Sequence, residues 1–491
     1  MHNKKMIDAS IGDPALPFKT AAQYAMEQSL KTLNQYDNYG TVAHHMAEQI
    51  MDFFDRELGI VRPNWSGVGL DSYAYTNGIT EGYDGLLNIF AKETEQYNRL
   101  TKQNLKPTII MPIPTYGIFF AQPEKFGIEV IKLQREEDGS VDPEKLLELL
   151  RAENKAGKHH IVGYYDSNPN NPTGHVRDAA ETQALADVFI RYNDYISYQK
   201  DKITQTMENP QYRELRELPN TIKVIDDMVY LGLEYDGRKA AAFMSIEEMY
   251  DNTIILAGGS KIGLTGLRTG IMIGSEHYIK KYKEDRALRQ YFPSTVNMHA
   301  LTPTFPTKTE HLKMRTDHLR QLNAVHLFSG KLMKALINGI DDVDTTSAER
   351  KKMISHVARA RNIGLVEAKK QLQDGILGIN VTTTPQAGFF HMLDFSAFKG
   401  HHIKENIRYG DKYEIGKLKD EWDLKWMHRD VGLQFCSGAG CGYQSEDLIM
   451  RTTFAMPPRD IIKLVDRLQE SIDVYIAPLQ HSHPPRPKIS A

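Results

Sequence analysis

Hydrophobic residues recur along the chain in two alternating patterns. One is a spacing of three and four residues, which places side chains on one face of a helix. The other is a short continuous apolar run, which is typical of a buried strand. The segment that begins at Thr41 shows the first pattern, with Val42, Met46, Ile50 and Leu58 on one face. It predicts a surface helix packed on a core.

Short apolar runs between residues 41 and 310 predict the strands of a sheet. Nearly all of them lead directly into a turn rich in glycine, proline or asparagine. Helix-like segments separate them, and this alternation predicts an α/β domain with a mainly parallel sheet. The predicted strands are Pro107–Pro112, Ile128–Leu133, Ile161–Tyr165, Ile222–Asp226, Thr253–Ala257 and Gly270–Gly274.

The pattern changes after about residue 310. Long amphipathic helices and short strands around Gly388 and Ile449 predict a smaller α+β domain. Residues 195–220 and 340–375 are polar and weakly patterned, and we interpret them as surface excursions. The predicted division is a large domain over residues 41–310, a small domain formed by 1–40 and 311–480, and a flexible, proline-rich tail over 481–491.

Composition adds few constraints. A chain of 491 residues exceeds one compact core of ordinary size, which favours two packed lobes. A net charge of -3 indicates a cytoplasmic globular protein without the charge that binds nucleic acid or membranes. No apolar stretch approaches the ~20 residues of a membrane span, and none indicates a signal peptide. Cys436 and Cys441 are the only cysteines, interpreted as free thiols in a reducing compartment.

One candidate for chemistry is the lysine in the segment from Gly258 to Gly270. Lys261 lies among small residues after a predicted strand, and Arg268 follows seven positions later. A lysine in a confined loop loses its proton more easily and can attack a carbonyl carbon, while arginine suits a phosphate. A solvated turn lysine is the alternative. A Walker phosphate loop is excluded because Ser260, rather than glycine, precedes the lysine.

Four further motifs place polar or aromatic side chains at predicted strand ends, where open α/β sheets bind ligands. Small residues after Tyr75 precede an apolar helix whose first N–H groups suit an anion. Tyr116 offers a stacking face, and the loop from Ser167 offers asparagine amides. Asp226 and Asp227 end a strand, where a carboxylate can hold a proton on a ring nitrogen. Each motif also has a purely structural alternative. In the same order, these are a helix cap, a core tyrosine, a plain turn and a solvated carboxylate pair.

In their order along the chain, these motifs resemble the class I and II aminotransferases of the fold-type I pyridoxal-phosphate superfamily. The resemblance extends from IGDP at Ile11 to RTTFAMP at Arg451. It implies a large domain with a mainly parallel sheet, a smaller α+β domain, and pyridoxal 5′-phosphate as the cofactor. It also implies transfer of an amino group between two small molecules, an amino acid and a 2-oxo acid.

The resemblance also implies roles for individual residues. Lys261 would hold the cofactor as an internal aldimine and move the substrate's proton. Asp227 would keep the pyridine nitrogen protonated, which makes the ring an electron sink. Asn171 and Tyr230 would hydrogen-bond the ring oxygen, and Tyr116 would stack on the ring face. The phosphate would be bound by Gly78, Ile79, Thr80 and Arg268.

Other matches concern the substrate and a second subunit. Arg451 lies where the family has the arginine that clamps the substrate's α-carboxylate, a bidentate task that lysine performs poorly. Gly12 matches the glycine near that carboxylate, and Asn171 would also contact the substrate. Tyr36, four residues before Gly40, matches a tyrosine that reaches the neighbouring subunit's phosphate. This match implies a homodimer with composite active sites.

The sequence departs from the family pattern around the lysine. Gly258 replaces the first serine of the family's Ser-x-Ser/Ala-Lys motif, so a phosphate hydroxyl is missing. The separation of seven positions from Lys261 to Arg268 is one fewer than in the family. Ser260 is an alternative phosphate ligand.

Motifs for cofactor binding do not determine which bond breaks. A β-lyase, a racemase or a decarboxylase on the same scaffold is an alternative, and a non-catalytic cofactor-binding protein is another. Arg286 and Arg289 suit either a second cation for a dicarboxylate substrate or a solvated helix face. The paired histidines lack a ligand pattern, so no metal site is predicted. We interpret SGAGCG, from Ser437, as a structural turn.

Overall fold

The computed structural model describes residues 5–31, 42–60, 71–205, 209–219, 221–288, 294–408 and 414–476. Its helices are α1 Lys19–Lys31, α2 Val42–Leu58, α3 Ile79–Thr101, α4 Gly117–Ala121, α5 Pro143–Ala156, α6 Ala179–Thr204, α7 Asn209–Glu217, α8 Glu276–Ala287, α9 Thr295–Thr304, α10 Thr309–Asn338, α11 Ser347–Arg361, α12 Leu365–Asp374, α13 Glu421–Asp430 and α14 Pro458–Tyr475. Its strands are β1 Ile7–Asp8, β2 Tyr73–Asn77, β3 Lys106–Ile113, β4 Glu129–Gln134, β5 His159–Ser167, β6 Lys223–Asp227, β7 Thr253–Ala257, β8 Thr269–Ile273, β9 Asn380–Val381, β10 Phe390–Asp394, β11 His402–Arg408, β12 Glu414–Lys417, β13 Leu433–Gln434, β14 Cys436–Ser437 and β15 Ile449–Thr453.

The largest sheet within the described residues has seven strands in the order β2-β8-β7-β6-β5-β3-β4, and we call it the large sheet. Strand β8 is antiparallel to both of its neighbours, whereas the pairings among β7, β6, β5, β3 and β4 are parallel. The carboxyl ends of all strands except β8 therefore share one edge, and β8 begins there. This edge is where the chain places its functional candidates.

The central strands explain why the sequence shows continuous apolar runs. Strands β6 and β7 are buried along their whole length, because helices cover both faces of the sheet. Each predicted strand coincides with an observed one, so the α/β prediction is confirmed. Strand β2 was not predicted, because its five residues run directly into the turn before α3.

A smaller antiparallel sheet, with the order β14-β15-β10-β9 in the described part of the chain, follows the long helix α10. We call it the small sheet. The amino-terminal strand β1 pairs in parallel with β13, so residues near the two ends of the sequence lie together. The predicted domain boundaries near residues 40 and 310 stay a prediction.

The interpretation of residues 340–375 as a surface excursion is wrong. They form helices α11 and α12, which place Met353, Val357 and Leu372 in the main core with no exposed surface. Lysines and arginines between these positions obscure the apolar face in the sequence. Most of residues 195–220 is also helical, in α6 and α7, and Leu215 is fully buried.

Some predictions concern residues whose structure is not described. These are Tyr36, Arg289 and the proposed tail over 481–491. Within the described ranges, no helix is long and apolar enough to cross a membrane.

Candidate active site

Loops at the carboxyl edge of the large sheet enclose a cavity of about 240 Å³. They follow β2, β3, β5, β6 and β7, so chain segments far apart in sequence meet because their strands end at the same edge. Most of the residues predicted to bind a cofactor line this cavity. They are Ile79, Thr80, Tyr116, Asn171, Asp227, Tyr230, Lys261 and Arg268.

Lys261 lies in a single 3₁₀ turn, Ser260–Ile262, directly after β7. Its Nζ donates a hydrogen bond to the carbonyl oxygen of Gly12 over 2.9 Å. Burial, reinforced by the positive charge of Arg451, lowers the lysine's pKa to about 8. A neutral, nucleophilic amine is therefore accessible close to neutral pH.

Asp227 ends strand β6 and is 3% exposed. Its Oδ2 accepts a hydrogen bond from the Tyr165 hydroxyl at 2.7 Å, and its Oδ1 accepts one from the backbone N–H of Val229 at 3.0 Å. Burial raises the pKa of this carboxyl to about 7, although both hydrogen bonds oppose the shift. A cation beside Asp227 would favour the charged carboxylate.

The adjacent carboxylate has a different role. Successive residues of a strand face opposite sides of the sheet, so Asp226 points away from Asp227. Asp226 Oδ1 accepts a hydrogen bond from Arg177 Nη2 at 2.8 Å, and Asp166 accepts one from Arg177 Nη1 at 2.6 Å. These residues form a buried structural ion network beneath the cavity.

Arg451 enters the site from β15 of the small sheet. Its Nη1 donates to Asn171 Oδ1 at 3.1 Å and its Nη2 donates to the Ser10 carbonyl at 2.8 Å. The amide of Asn171 donates in turn to the Tyr230 hydroxyl at 3.0 Å. The guanidinium carbon also lies 4.3 Å from the centre of the Phe390 ring, which fixes its plane.

A second part of the cavity suits an anion. Helix α3 begins after Gly78, whose φ is 73° and which provides no side-chain cap for the first N–H groups. A Cβ atom at Gly78 would lie only 2.7 Å from Nη2 of Arg268, so the guanidinium contacts this backbone. Helix N–H groups and a guanidinium together favour a phosphate.

The missing serine at Gly258 has a steric cause. A Cβ atom at this position would lie 2.5 Å from the carbonyl oxygen of Thr269, the first residue of β8. The shortened loop between Lys261 and β8 therefore leaves no space for a side chain there. Ser260 lines the cavity and stays a candidate phosphate ligand.

We expect Gly258→Ser to lower the free energy of unfolding by about 1–3 kcal/mol, because the added side chain overlaps a backbone carbonyl. Thermal or urea unfolding measures the change. Gly266→Ser is the matched control, since a Cβ atom there meets nothing within 4 Å. Equal stability of the two variants would contradict the steric explanation.

Two residues of the site, Tyr165 and Phe390, have no local signal in the sequence. Tyr165 has the pattern of an apolar strand residue, although the pairing of Ser167 with Asp227 places it close to the Asp227 carboxylate. Strand register is the signal that identifies it. Phe390 comes from the small sheet, and no local sequence feature connects it with Arg451.

Arg286 fits neither interpretation offered for it. The side chain is buried at 5% exposure, and its Nη1 donates to the backbone carbonyl of Tyr75. It is not a solvated residue of a helix face, and it does not line the cavity. Its contact with β2 indicates a structural function.

The family description "Aminotransferase class I and II" matches residues 4–196 and 205–468. The histidinol-phosphate aminotransferase of Aquifex aeolicus is 25% identical over 231 residues, which are 47% of this chain and 50% of that protein. A putative cystathionine beta-lyase of Mycobacterium leprae is 22% identical over 205 residues, 42% of this chain and 44% of that protein. The chain thus spans half or less of these relatives' lengths.

A solved structure extends the likeness to nearly the whole fold. The kynurenine aminotransferase of Pyrococcus horikoshii, in complex with PMP, has a TM-score of 0.64 and 15% identity, covering 96% of this chain and 91% of its own. The fold is therefore that of the fold-type I pyridoxal-phosphate enzymes, as predicted. Because the family match covers most of the sequence, the chain belongs to the class I and II aminotransferase family.

Proposed function

We propose that this member of the class I and II aminotransferases transfers an amino group from an amino acid to a 2-oxo acid, with pyridoxal 5′-phosphate as cofactor. The observation that carries the proposal is the presence of Lys261 and Asp227 in one cavity. A buried amine of lowered pKa and a buried carboxylate are the pair that cofactor attachment and ring protonation require.

The residues present fit this cofactor. The backbone ahead of α3 and Arg268 supply donors for its phosphate, and Gly78 leaves the space that a side chain would fill. Asp227 supplies a carboxylate for the ring nitrogen, while Asn171 and Tyr230 supply donors for the ring oxygen. When bound, the cofactor provides an electron sink for the negative charge that develops at the substrate's α-carbon.

Four residues of the cavity and its rim have defined tasks in this proposal. Lys261 would attach the cofactor and would take the proton from the substrate's α-carbon. Asp227 would hold the proton on the ring nitrogen. Tyr116, at the amino terminus of α4, would cover one ring face and exclude water from it. Arg451 binds and orients the substrate's α-carboxylate.

The reaction is tested by incubating the enzyme and pyridoxal phosphate with each amino acid in turn and identifying the cofactor chromatographically afterwards. Conversion to pyridoxamine phosphate by at least one amino acid is expected. No conversion with any amino acid would reject transamination. Pyruvate and ammonia without pyridoxamine phosphate would instead support β-elimination, the candidate favoured by the likeness to the putative cystathionine beta-lyase.

We expect Arg451→Lys to raise the KM for the amino acid roughly 10- to 100-fold, because one point charge replaces a bidentate hydrogen-bonding pair. Steady-state kinetics with saturating cofactor measures it. Arg268→Lys is the matched control and should weaken pyridoxal-phosphate binding rather than raise this KM. The assignment of Arg451 would be wrong if its variant lost cofactor affinity instead.

Covalent attachment of the cofactor should depend on pH through Lys261. Only the neutral amine attacks the aldehyde, so the attachment rate constant of the cofactor-free protein should rise with pH and reach half its maximum near pH 8. Stopped-flow absorbance follows the reaction. A half-maximum near the ordinary lysine pKa of 10.5 would show that burial does not tune this amine.

We also propose a cytoplasmic homodimer in which Tyr36 of each subunit reaches the other subunit's phosphate site. The support is the segment NQYDNYG, from Asn34, and its resemblance to the family's intersubunit tyrosine. Light scattering of the holoenzyme tests the assembly. Tyr36→Phe should weaken cofactor binding without affecting the dimer, and a monomeric active enzyme would reject the proposal.

A further inference from the structure

The chain has two cysteines. The fold brings them together beside the candidate active site, where they contact each other, the strand that carries Arg451, and Thr115. Cys436 begins strand β14, and Cys441 ends the 3₁₀ turn Ala439–Cys441 that follows it. The Cys441 thiol donates a hydrogen bond to the sulfur of Cys436. The turn SGAGCG, from Ser437, therefore connects the two thiols.

Contacts around the turn hold the two thiols in this arrangement. Glu421 accepts hydrogen bonds from the Ser437 hydroxyl at 2.5 Å and from the backbone N–H of Ala439 at 3.0 Å. The N–H of Cys441 donates to the Gly438 carbonyl at 2.8 Å. A Cβ atom at Gly438 would lie 2.1 Å from the Ile449 carbonyl, so the turn also packs closely on β15. The pair is preorganised rather than brought together by chance motion.

The two thiols differ in the way that stepwise oxidation requires. Cys436 is partly exposed, whereas Cys441 has no exposed surface. The hydrogen bond from Cys441 and the nearby charge of Arg451 lower the pKa of Cys436 to about 6, while the pKa of Cys441 is raised. Cys436 is therefore an accessible thiolate at neutral pH, and Cys441 is a protected thiol in contact with it.

We propose that Cys436 and Cys441 form an oxidation site at which a hydroperoxide closes an intramolecular disulfide. The Cys436 thiolate attacks the peroxide's terminal oxygen, the O–O bond breaks, and the leaving alkoxide or hydroxide takes a proton, which leaves a sulfenic acid on Cys436. The Cys441 sulfur then attacks that sulfur, and its proton leaves with the hydroxyl group as water. The peroxide is reduced by two electrons and the thiol pair is oxidised by two.

Both cysteines contact elements that carry active-site residues. Cys436 is the pairing partner of Arg451 in the small sheet. The carbonyl oxygen of Cys441 accepts a hydrogen bond from the N–H of Thr115 at 2.9 Å, next to Tyr116. Disulfide formation removes a negative charge beside Arg451, so the oxidised enzyme should bind a carboxylate more tightly. This consequence rests on the proposed function, whereas disulfide formation does not.

Thiol titration of the denatured protein tests the disulfide directly, because the sequence allows at most two thiols. Treatment of the holoenzyme with hydrogen peroxide should reduce the count from two to none and give a monomer-sized band on a non-reducing gel. Dithiothreitol should restore both thiols. Two surviving thiols, or a disulfide between chains, would overturn the proposal.

Single-cysteine variants separate the two steps. Cys441→Ser should stop at a sulfenic acid on Cys436 that dimedone labels, whereas Cys436→Ser should keep its buried thiol under the same treatment. Rapid oxidation of Cys441 in Cys436→Ser would show that the assigned order of attack is wrong.

Kinetics test the connection to the active site. Oxidation of the wild type should lower the KM for the amino acid roughly threefold, since an opposite charge close to Arg451 is lost. Cys436→Ser should show no such response to peroxide, which controls for oxidation elsewhere in the protein. A disulfide with an unchanged KM would reject the coupling to Arg451. Absence of transamination would reject the proposed function and leave the thiol result intact.

Discussion

Replacing Lys261 with alanine is expected to lower the transamination rate by about 10⁴-fold, the upper range for loss of a positioned acid/base group. Under the proposed function, the variant lacks the amine that would attach the cofactor and move the α-carbon proton. The cavity keeps its other residues, so pyridoxal phosphate should still bind, without a covalent bond. Borohydride reduction followed by peptide mass analysis measures attachment, and single-turnover kinetics measures the rate.

The chain offers a matched control in a second buried lysine. Burial also lowers the pKa of Lys223 to about 8, but its Nζ donates to Thr221 Oγ1 at 2.6 Å and to Asn252 Oδ1 at 2.7 Å, outside the cavity. Lys223→Met should retain cofactor attachment and turnover. If borohydride fixed the cofactor to wild type and to Lys261→Ala equally, Lys261 would not be the attachment site.

The order of the motifs predicted most of this cavity. Lys261, Asp227 and Asn171 are each ambiguous alone, but each follows a predicted strand, and parallel strands end at one edge. The topology of the sheet therefore explains why motifs that are separate in sequence lie in one site. The strands were predictable because burial on both faces requires continuous apolar runs.

The rest of the site depends on contacts that local sequence does not contain. The buried position of Arg286 follows from the packing of α8 against β2, and its charge alone suggested a substrate ligand or a solvated residue. Likewise, the sequence alone indicates that Gly258 replaces a phosphate ligand. The reason for a glycine at this position is the close approach of the Thr269 carbonyl, which becomes visible only when β7 and β8 are paired.

The amino-terminal segment also connects the two sheets in a way that spacing could not show. The carbonyl of Gly12 accepts from Lys261 after β7, and the carbonyl of Ser10 accepts from Arg451 on β15. The backbone of Ala15 donates to His326 Nε2 on α10 at 3.0 Å. A substrate carboxylate at Arg451 would compete with the Ser10 carbonyl for the guanidinium. Substrate binding should therefore change the contacts of this segment first.

Asp227→Asn is expected to reduce the transamination rate roughly 10³-fold with little change in the free energy of unfolding. The amide preserves the shape of the side chain but cannot carry the negative charge that, under the proposed function, would keep the ring nitrogen protonated. The electron sink would therefore be weakened, although Lys261 would still attach the cofactor. Single-turnover kinetics and the absorption spectrum of the bound cofactor measure the two effects separately.

Asp226→Asn is the control that the same strand provides, and it should give the opposite result. Loss of a charge that Arg177 neutralises should lower the free energy of unfolding by about 3 kcal/mol, because a buried guanidinium loses a partner. The cofactor's spectrum and the single-turnover rate should stay close to wild type. Equal rate losses in the two variants would mean that burial of the strand end, rather than the carboxylate facing the cavity, controls the chemistry.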